Sequence, residues 1–201
     1  MRASFGEIDG LDEQQRSVTF KNLFYISEKE ITRQQFQKFV EETGYRTQTE
    51  IGNSNAFANG LAPGNWRRPS PDWQPKLDHP VSFVTFDDAA AFCGWLSKKE
   101  ARNYRLPTDD EWEYAARAGT ISRFWKGDEV TDLAKVANIP GKDDGYPFLA
   151  PVGSFPANPW GLYDVHGNAF EWCSIADHSS IVFAAGVNPK GFGILKGGCF
   201  Y

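Results

Sequence analysis

The sequence predicts a fold of few helices, short strands and much irregular backbone, and three observations carry that reading. Only three stretches combine helical periodicity with a start signal, and all three precede Gly119. The stretch from Asn53 to Pro75 is rich in Asn, Gly, Pro and Trp and has no period, and from Trp125 onward loops dominate. Strand-like runs in that second region are short, as in Ala150 to Phe155 and Gly193 to Lys196.

The first helix begins where the Thr32 hydroxyl can cap and Gln35 follows three residues on. Phe36, Phe39 and Val40 then share a face and Gly44 follows the end, which predicts a helix from Arg33 to Thr43. The second places Phe86, Ala89, Ala90, Cys93 and Leu96 on one face, with Thr85 as cap and Asp87 and Asp88 in the first turn, so Cys93 is expected to face the core. The third has the cleanest start, the capping box Thr108-Asp109-Asp110-Glu111 after Pro107, and Gly119 closes it. No internal repeat, low-complexity tract or linker divides the chain, so residues 1–201 read as a single domain. So much loop in a compact domain needs something to tie it down, and bound cations would do so.

Composition narrows the function classes. At 201 residues the chain can bury a real core, and an aromatic content of 15% with seven Trp points to one filled by large rings. No apolar run approaches the roughly 18 residues of a membrane-spanning helix, so a soluble chain with no membrane partner is expected. A net charge of -5 with dispersed Lys and Arg offers no basic patch to a phosphate backbone, which excludes nucleic acid as a partner. Met1 to Glu7 shows no cationic segment followed by an apolar core, so the default expectation is a cytoplasmic location. Cys93, Cys173 and Cys199 form neither a CxxC pair nor an even disulfide framework, which leans toward a reducing compartment.

Hard oxygen donors gather in one place. Asp164, Asn168 and Glu171 lie within eight residues around Gly167, where a tight turn can point its own carbonyls inward. That is calcium-loop chemistry without EF-hand spacing. His79, His166 and His178 have no i, i+4 relation and suggest no shared metal. Arg105 and Arg117, flanking the third helix, are expected to form structural ion pairs.

The run Gly161-Leu162-Tyr163-Asp164-Val165-His166-Gly167-Asn168-Ala169-Phe170-Glu171-Trp172, followed by Lys196-Gly197-Gly198, resembles a signature of the formylglycine-generating enzyme, or sulfatase-modifying factor, family. The resemblance continues, in order, through Phe24 to Thr32, Phe36 to Tyr45, His79-Pro80-Val81, Asp87-Asp88-Ala89, Tyr104 to Thr108, Glu111 to Arg117 and Ala150 to Pro156. It implies an α+β, C-type-lectin-like fold stabilised by calcium. It also implies two calcium sites. One would use side chains of Asn138 and Asp144 with carbonyls of Ile139 and Tyr146, and the other side chains of Asp164 and Glu171 with carbonyls of Gly167 and Ala169.

The chemistry the resemblance implies is oxidation of a cysteine in a Cys-x-Pro-x-Arg peptide of a sulfatase to formylglycine, with oxygen and copper(I). The family's two cysteines stand three and eight residues past the Ser of a Gly-Gly-Ser motif. Here Gly197-Gly198 is followed by Cys199, Phe200 and Tyr201, so Cys199 takes the serine position and neither family cysteine is present. Copper is therefore expected only if further C-terminal cysteines exist, Cys199 together with Cys173 being the remaining thiol candidate. Relative to the family the chain reads as short at both ends, its closing C-terminal segment missing.

The leading expectation is a domain related to the formylglycine-generating oxidase but lacking its cysteine pair, with a sulfatase-like protein or peptide as substrate class. The alternative is a non-catalytic lectin-like binding module, whose contact surface would be the Trp-rich stretch Asn65-Trp66-Arg67-Arg68 to Trp73 with Trp125 and Trp160. An ergothioneine-type sulfoxide synthase ranks last, for want of a His-x3-His-x-Glu iron pattern. The sequence sets no oligomeric state.

Overall fold

The computed structural model describes residues 17–52, 64–141, 144–175 and 193–200. Asp143, His178, Tyr201 and residues 53–63 of the aperiodic stretch from Asn53 to Pro75 lie outside the described residues. The elements run α1 (Arg33–Thr43), α2 (Phe86–Glu100), α3 (Asp109–Arg117), the single turn α4 (Val130–Leu133), β1 (Glu171–Ser174) and β2 (Gly193–Lys196).

Each long helix starts with a complete capping box, pairing Thr32 with Gln35, Thr85 with Asp88 and Thr108 with Glu111. Two otherwise orphaned N–H donors are satisfied at each start, which is why local sequence alone places these helices. α1 ends on Gly44 at φ 67°. α3 ends on Ala118 at φ 48°, so the left-handed turn begins one residue before Gly119.

α1 and α2 close the first core, where Phe36, Phe39, Val40, Trp66 and Phe92 are buried with Trp95 and Leu96 packed against them. The rings meet edge to face, Phe36 on Phe39 at 5.3 Å and on Trp66 at 5.2 Å, with Phe92 stacked on Phe36 at 6.0 Å. Trp66 is thus core, 2% exposed, and no contact surface. Arg33 fixes it, its guanidinium donating to the Trp66 carbonyl at 2.7 Å.

The buried face of α2 is rotated from the expected one. Asp88 and Phe92 are buried, Cys93 is half-buried and Ala90 is exposed. The Asp88 carboxylate draws that face inward, accepting from the Tyr45 hydroxyl at 2.9 Å, the Gln48 N–H at 3.1 Å and the Thr85 N–H at 2.8 Å. A buried carboxylate so fully bonded costs little, and apolar periodicity cannot foresee it.

A second core gathers Trp112, Ala116, Val165 and Cys173, with Trp125 and Leu162 against it, between α3 and an antiparallel pair. β1 and β2 pair Glu171 with Lys196, Trp172 with Leu195, Cys173 with Ile194 and Ser174 with Gly193. Ser174 also donates its N–H to Pro107 O at 2.8 Å, docking the ribbon on the start of α3. Ala150 to Phe155 is no strand but a turn at Val152-Gly153, and the strand preceding β2 is β1, which emerges from the acidic loop itself. Among the described residues no helix is long and apolar enough to cross a membrane.

Candidate functional site

The acidic loop is folded by its backbone before its side chains act. Asp164 and Asn168 take left-handed φ of 55° and 54°, a conformation their short polar side chains tolerate. Gly167 between them, at φ 74°, must be glycine, because a Cβ there would lie 2.0 Å from the Asn138 carbonyl oxygen. That approach brings the segment around Asn138 against the loop, and the Asn168 N–H donates to Asn138 O at 2.8 Å.

Asn168 is the hub. It is 0% exposed, and its amide oxygen accepts from Asn138 Nδ2 at 3.0 Å and from the Ala150 N–H at 2.8 Å. Its own amide NH2 donates to the Glu30 carboxylate, at 3.0 Å to Oε2, while the Phe200 N–H reaches the Asn168 carbonyl at 3.1 Å. Four segments distant in sequence therefore converge on one side chain and its backbone.

Glu30 is the functional residue that sequence reasoning missed. Its carboxylate accepts from Asn168 and from the Ala169 N–H at 3.2 Å, and it stands beside Asp164 and Glu171. Burial first, then the charges of Asp164 and Glu171, hold Glu30 well above the usual carboxylate range. Burial raises Asp164 as well, against the Gly153 N–H and the Lys29 ammonium, which act to lower it. Glu171 is pushed up to about 7, by burial foremost and by Asp164, with a hydrogen bond from the Trp112 indole opposing. Three carboxyls crowded in low dielectric cannot all ionise without a compensating cation.

Of the expected ligands, Asp164, Gly167, Ala169 and Glu171 share this cluster. Asn138 lies against Gly167, so the two expected sites adjoin. Asp144 is turned to local use, its oxygens accepting from the Ile139 N–H at 3.2 Å and the Tyr146 N–H at 2.8 Å. Two oxygens, Asn138 Oδ1 and Asp164 Oδ1, are buried with no hydrogen-bond partner. An orphaned buried acceptor is costly in a native fold, and a bound ion is one of its standard explanations. Among the described residues no three His, Cys, Asp or Glu side chains converge as a ready-made metal cage. A cation here would draw on amide and main-chain carbonyl oxygens too, which calcium accepts and softer metals do not.

The thiols are placed differently. Cys173 is 0% exposed, and burial, then the charge of Glu171, pushes its thiol far above the ordinary range. Burial lifts Cys93 to about 11. Cys199 is half-buried, and none of the three forms a disulfide. Copper(I) in this chemistry wants two accessible thiolates, and Cys173, protonated and sealed in the second core, does not fit as one of them.

His79 is buried with Nδ1 2.9 Å from Asp78 Oδ1, and His166 accepts the Trp125 N–H at 3.3 Å. Arg105 makes a two-point bond to Glu111 at 2.6 and 2.7 Å, and Arg117 meets Glu113 at 2.7 Å. Of the remaining Trp candidates, Trp73 stacks on Phe148 at 5.4 Å, Trp125 packs on the second core and Trp160 is 46% exposed.

A family model described as "Sulfatase-modifying factor enzyme 1-like domain" matches residues 2–201. The chain belongs to this family. It is 35% identical over 208 residues to the formylglycine-generating enzyme of Bos taurus, covering 84% of this chain and 53% of that protein. It is 34% identical over 198 residues to a protein of Mus musculus named "Inactive C-alpha-formylglycine-generating enzyme 2", covering 82% of this chain and 62% of that one. The chain thus spans about half the length of the first of these curated relatives. Among solved structures, PvdO from Pseudomonas aeruginosa is similar at a TM-score of 0.66 and 30% identity, covering 87% of this chain and 67% of that one. The mixed architecture of few helices and short strands is therefore the family's fold.

Proposed function

We propose that residues 1–201 form a calcium-stabilised domain of the sulfatase-modifying factor family that engages a protein or peptide substrate of the sulfatase kind. The observation that carries the calcium reading is that two buried oxygens lack a hydrogen-bond partner, Asp164 Oδ1 among the three carboxyls and Asn138 Oδ1 in the segment packed on Gly167. Asp164, Glu171 and Glu30 supply side-chain oxygens, with the carbonyls of Gly167 and Ala169. Asn138 and Asp144, with the carbonyls of Ile139 and Tyr146, supply the adjoining set. Calcium would hold the loops by neutralising this charge, and it takes no part in bond making.

Cysteine oxidation is a separate matter. The copper-dependent step of the family requires a thiol pair, and the residues present here do not fit it: Cys173 is buried and Cys199 stands at the family's serine position. The function read for these residues is accordingly substrate engagement on a calcium-held scaffold, with no oxidation step assigned to Cys173 and Cys199.

Two measurements test it. Thermal unfolding with and without calcium should show a rise in Tm for the parent that shrinks in Glu30→Gln and vanishes in Glu171→Gln; equal Tm in calcium and in chelator would sink the calcium reading. A Cys-x-Pro-x-Arg peptide incubated with the chain, oxygen and copper(I) should bind without conversion, by mass spectrometry. Conversion to formylglycine would overturn the second reading, and loss of all peptide binding the first-named substrate class.

A further inference from the structure

Beside the second core lies a cleft of about 190 Å³, walled by Trp112, Glu113 and Arg117 of α3, Arg123, Phe124 and Trp125, His166, and Lys196 of β2. Its chemistry is unlike that of the calcium loop. One carboxylate serves two cations: Glu113 Oε1 meets Arg117 Nε at 2.7 Å and Oε2 meets Lys196 Nζ at 2.9 Å. Between them these three groups leave one positive charge uncompensated, and Lys196 uses only one of its three donors on Glu113. Arg117 spends its Nε on Glu113 and one terminal nitrogen on Ser122 O at 2.9 Å, and its other nitrogen has no hydrogen-bond partner among the described residues. His166 accepts the Trp125 N–H through Nε2, so a neutral ring carries its proton on Nδ1 as a further donor.

The walls are aromatic. Lys196 lies 5.9 Å over the Trp112 ring and Lys126 5.7 Å over the Trp125 ring, while Phe124 meets the His166 ring edge-on at 5.3 Å. Cationic donors at the base of aromatic walls suit a planar ligand bearing one negative charge. The volume falls below the roughly 300–1,000 Å³ of a pocket for drug-sized ligands, which limits the occupant to a small molecule or a single side chain.

We propose that this cleft is a binding site for a small organic carboxylate with a planar body, held by Lys196 and Arg117 with its body against the Trp112 and Trp125 side chains that line the cleft. Nothing in the calcium reading requires it. Because the cleft shares Lys196 and Gly197 with the ribbon that leads to Cys199, an occupant there would sit beside the family's Gly-Gly motif.

The test uses the full chain in calcium, with benzoate as probe and benzylamine as its cationic counterpart, followed by Trp fluorescence and by NMR of the indole N–H signals. Benzoate is expected to give a saturable change that moves the Trp112 and Trp125 signals, and benzylamine none. Lys196→Gln should weaken benzoate at least about tenfold, a loss that Lys196→Arg largely restores while both variants keep the parent's far-UV spectrum. Should Lys196→Gln not fold, competition of benzoate by chloride and by cyclohexylamine on the parent chain still separates anion binding from nonspecific apolar binding. No saturable response to benzoate, an equal response to benzylamine, or an unchanged affinity in folded Lys196→Gln would overturn the proposal. So would saturable binding of an Asp-containing peptide with none of benzoate, which would reassign the cleft to acidic side chains of a protein.

Discussion

The half of the molecule built on α1 and α2 and the half built around residues 138–171 bury side chains of opposite character. In the first, Phe36, Phe39, Trp66 and Phe92 pack ring against ring, and a buried charge there, Asp88, is met by three donors. In the second, Asn138, Asn168 and Asp164 are as deeply buried as those rings, at 0%, 0% and 3% exposed, yet two of their oxygens are left unpaired. The first half also leaves Arg33 Nε and Trp66 Nε1 buried without a hydrogen-bond partner, but these are donors that no cation would serve. The second holds a charge imbalance that a cation would settle, so its stability should answer to the solution while the first half's should not.

The largest expected effect breaks the first half. Phe36→Ala removes a ring shared by three aromatic neighbours and should cost about 3–5 kcal/mol in denaturant unfolding, with the same loss in calcium and in chelator. If calcium altered that loss, the two halves would be coupled more tightly than their separate cores suggest.

Next comes the hub. Asn168→Ala strips partners from Asn138 Nδ2, the Ala150 N–H and Glu30, and leaves alanine at φ 54°. Each stranded buried polar group costs on the order of 1–3 kcal/mol, so a loss of about 3 kcal/mol is expected, together with most of the calcium response. A loss of stability that left calcium binding untouched would show that the hub serves folding alone.

Calcium itself ranks third. Present at about a hundred times its Kd it should add about 2.7 kcal/mol, read as a Tm shift that chelation reverses.

The pH response sharpens the comparison further. Glu171 is raised to about 7, so without calcium its contribution is intact below the unfolded carboxylate pKa and is lost as pH rises through about 7. His166 has the opposite sign: lowered to about 4 by burial, it gives stability that is present above its unfolded pKa and lost as pH falls through about 4. The carboxyl effect is therefore read as a difference between chains. Calcium-free Glu171→Gln should gain on the parent by about 3 kcal/mol between acid and neutral pH, and a flat difference curve would mean that Glu171 is not confined as described.

The smallest effect belongs to local structure. Thr108→Ala removes one capping bond of α3 and should cost about 1 kcal/mol, independent of calcium and of pH above the carboxylate range.

What could be read from sequence follows from how far apart the interacting groups stand. Three helices were legible because each capping box is closed within four residues, Thr32 with Gln35 being the pattern. Asp164, Asn168 and Glu171 were legible as one oxygen-rich loop around Gly167 because they lie within eight residues, and the family resemblance added the Ala169 carbonyl. Glu30 was not, since its bond to Asn168 spans 138 positions and no local pattern marks it. The Trp66 ring looked equally suited to surface or core, and contacts from α1, the Phe36 ring and the Arg33 guanidinium on its carbonyl, put it inside. Ala90 was assigned to the buried side of α2 and is exposed, while Cys93 is half-buried, the bonds of Tyr45 and Gln48 to Asp88 having turned that face inward.

By itself, then, the sequence determined the helices, the family and the kind of atom gathered in the acidic loop, because caps, turns and signature runs are short-range. The tertiary structure alone decided which face of α2 is buried, that Ala150 to Phe155 turns instead of pairing, and that a third carboxylate closes on the loop. Those outcomes depend on burial and on hydrogen bonds between distant segments, whose energies exist only once the chain has brought the partners together.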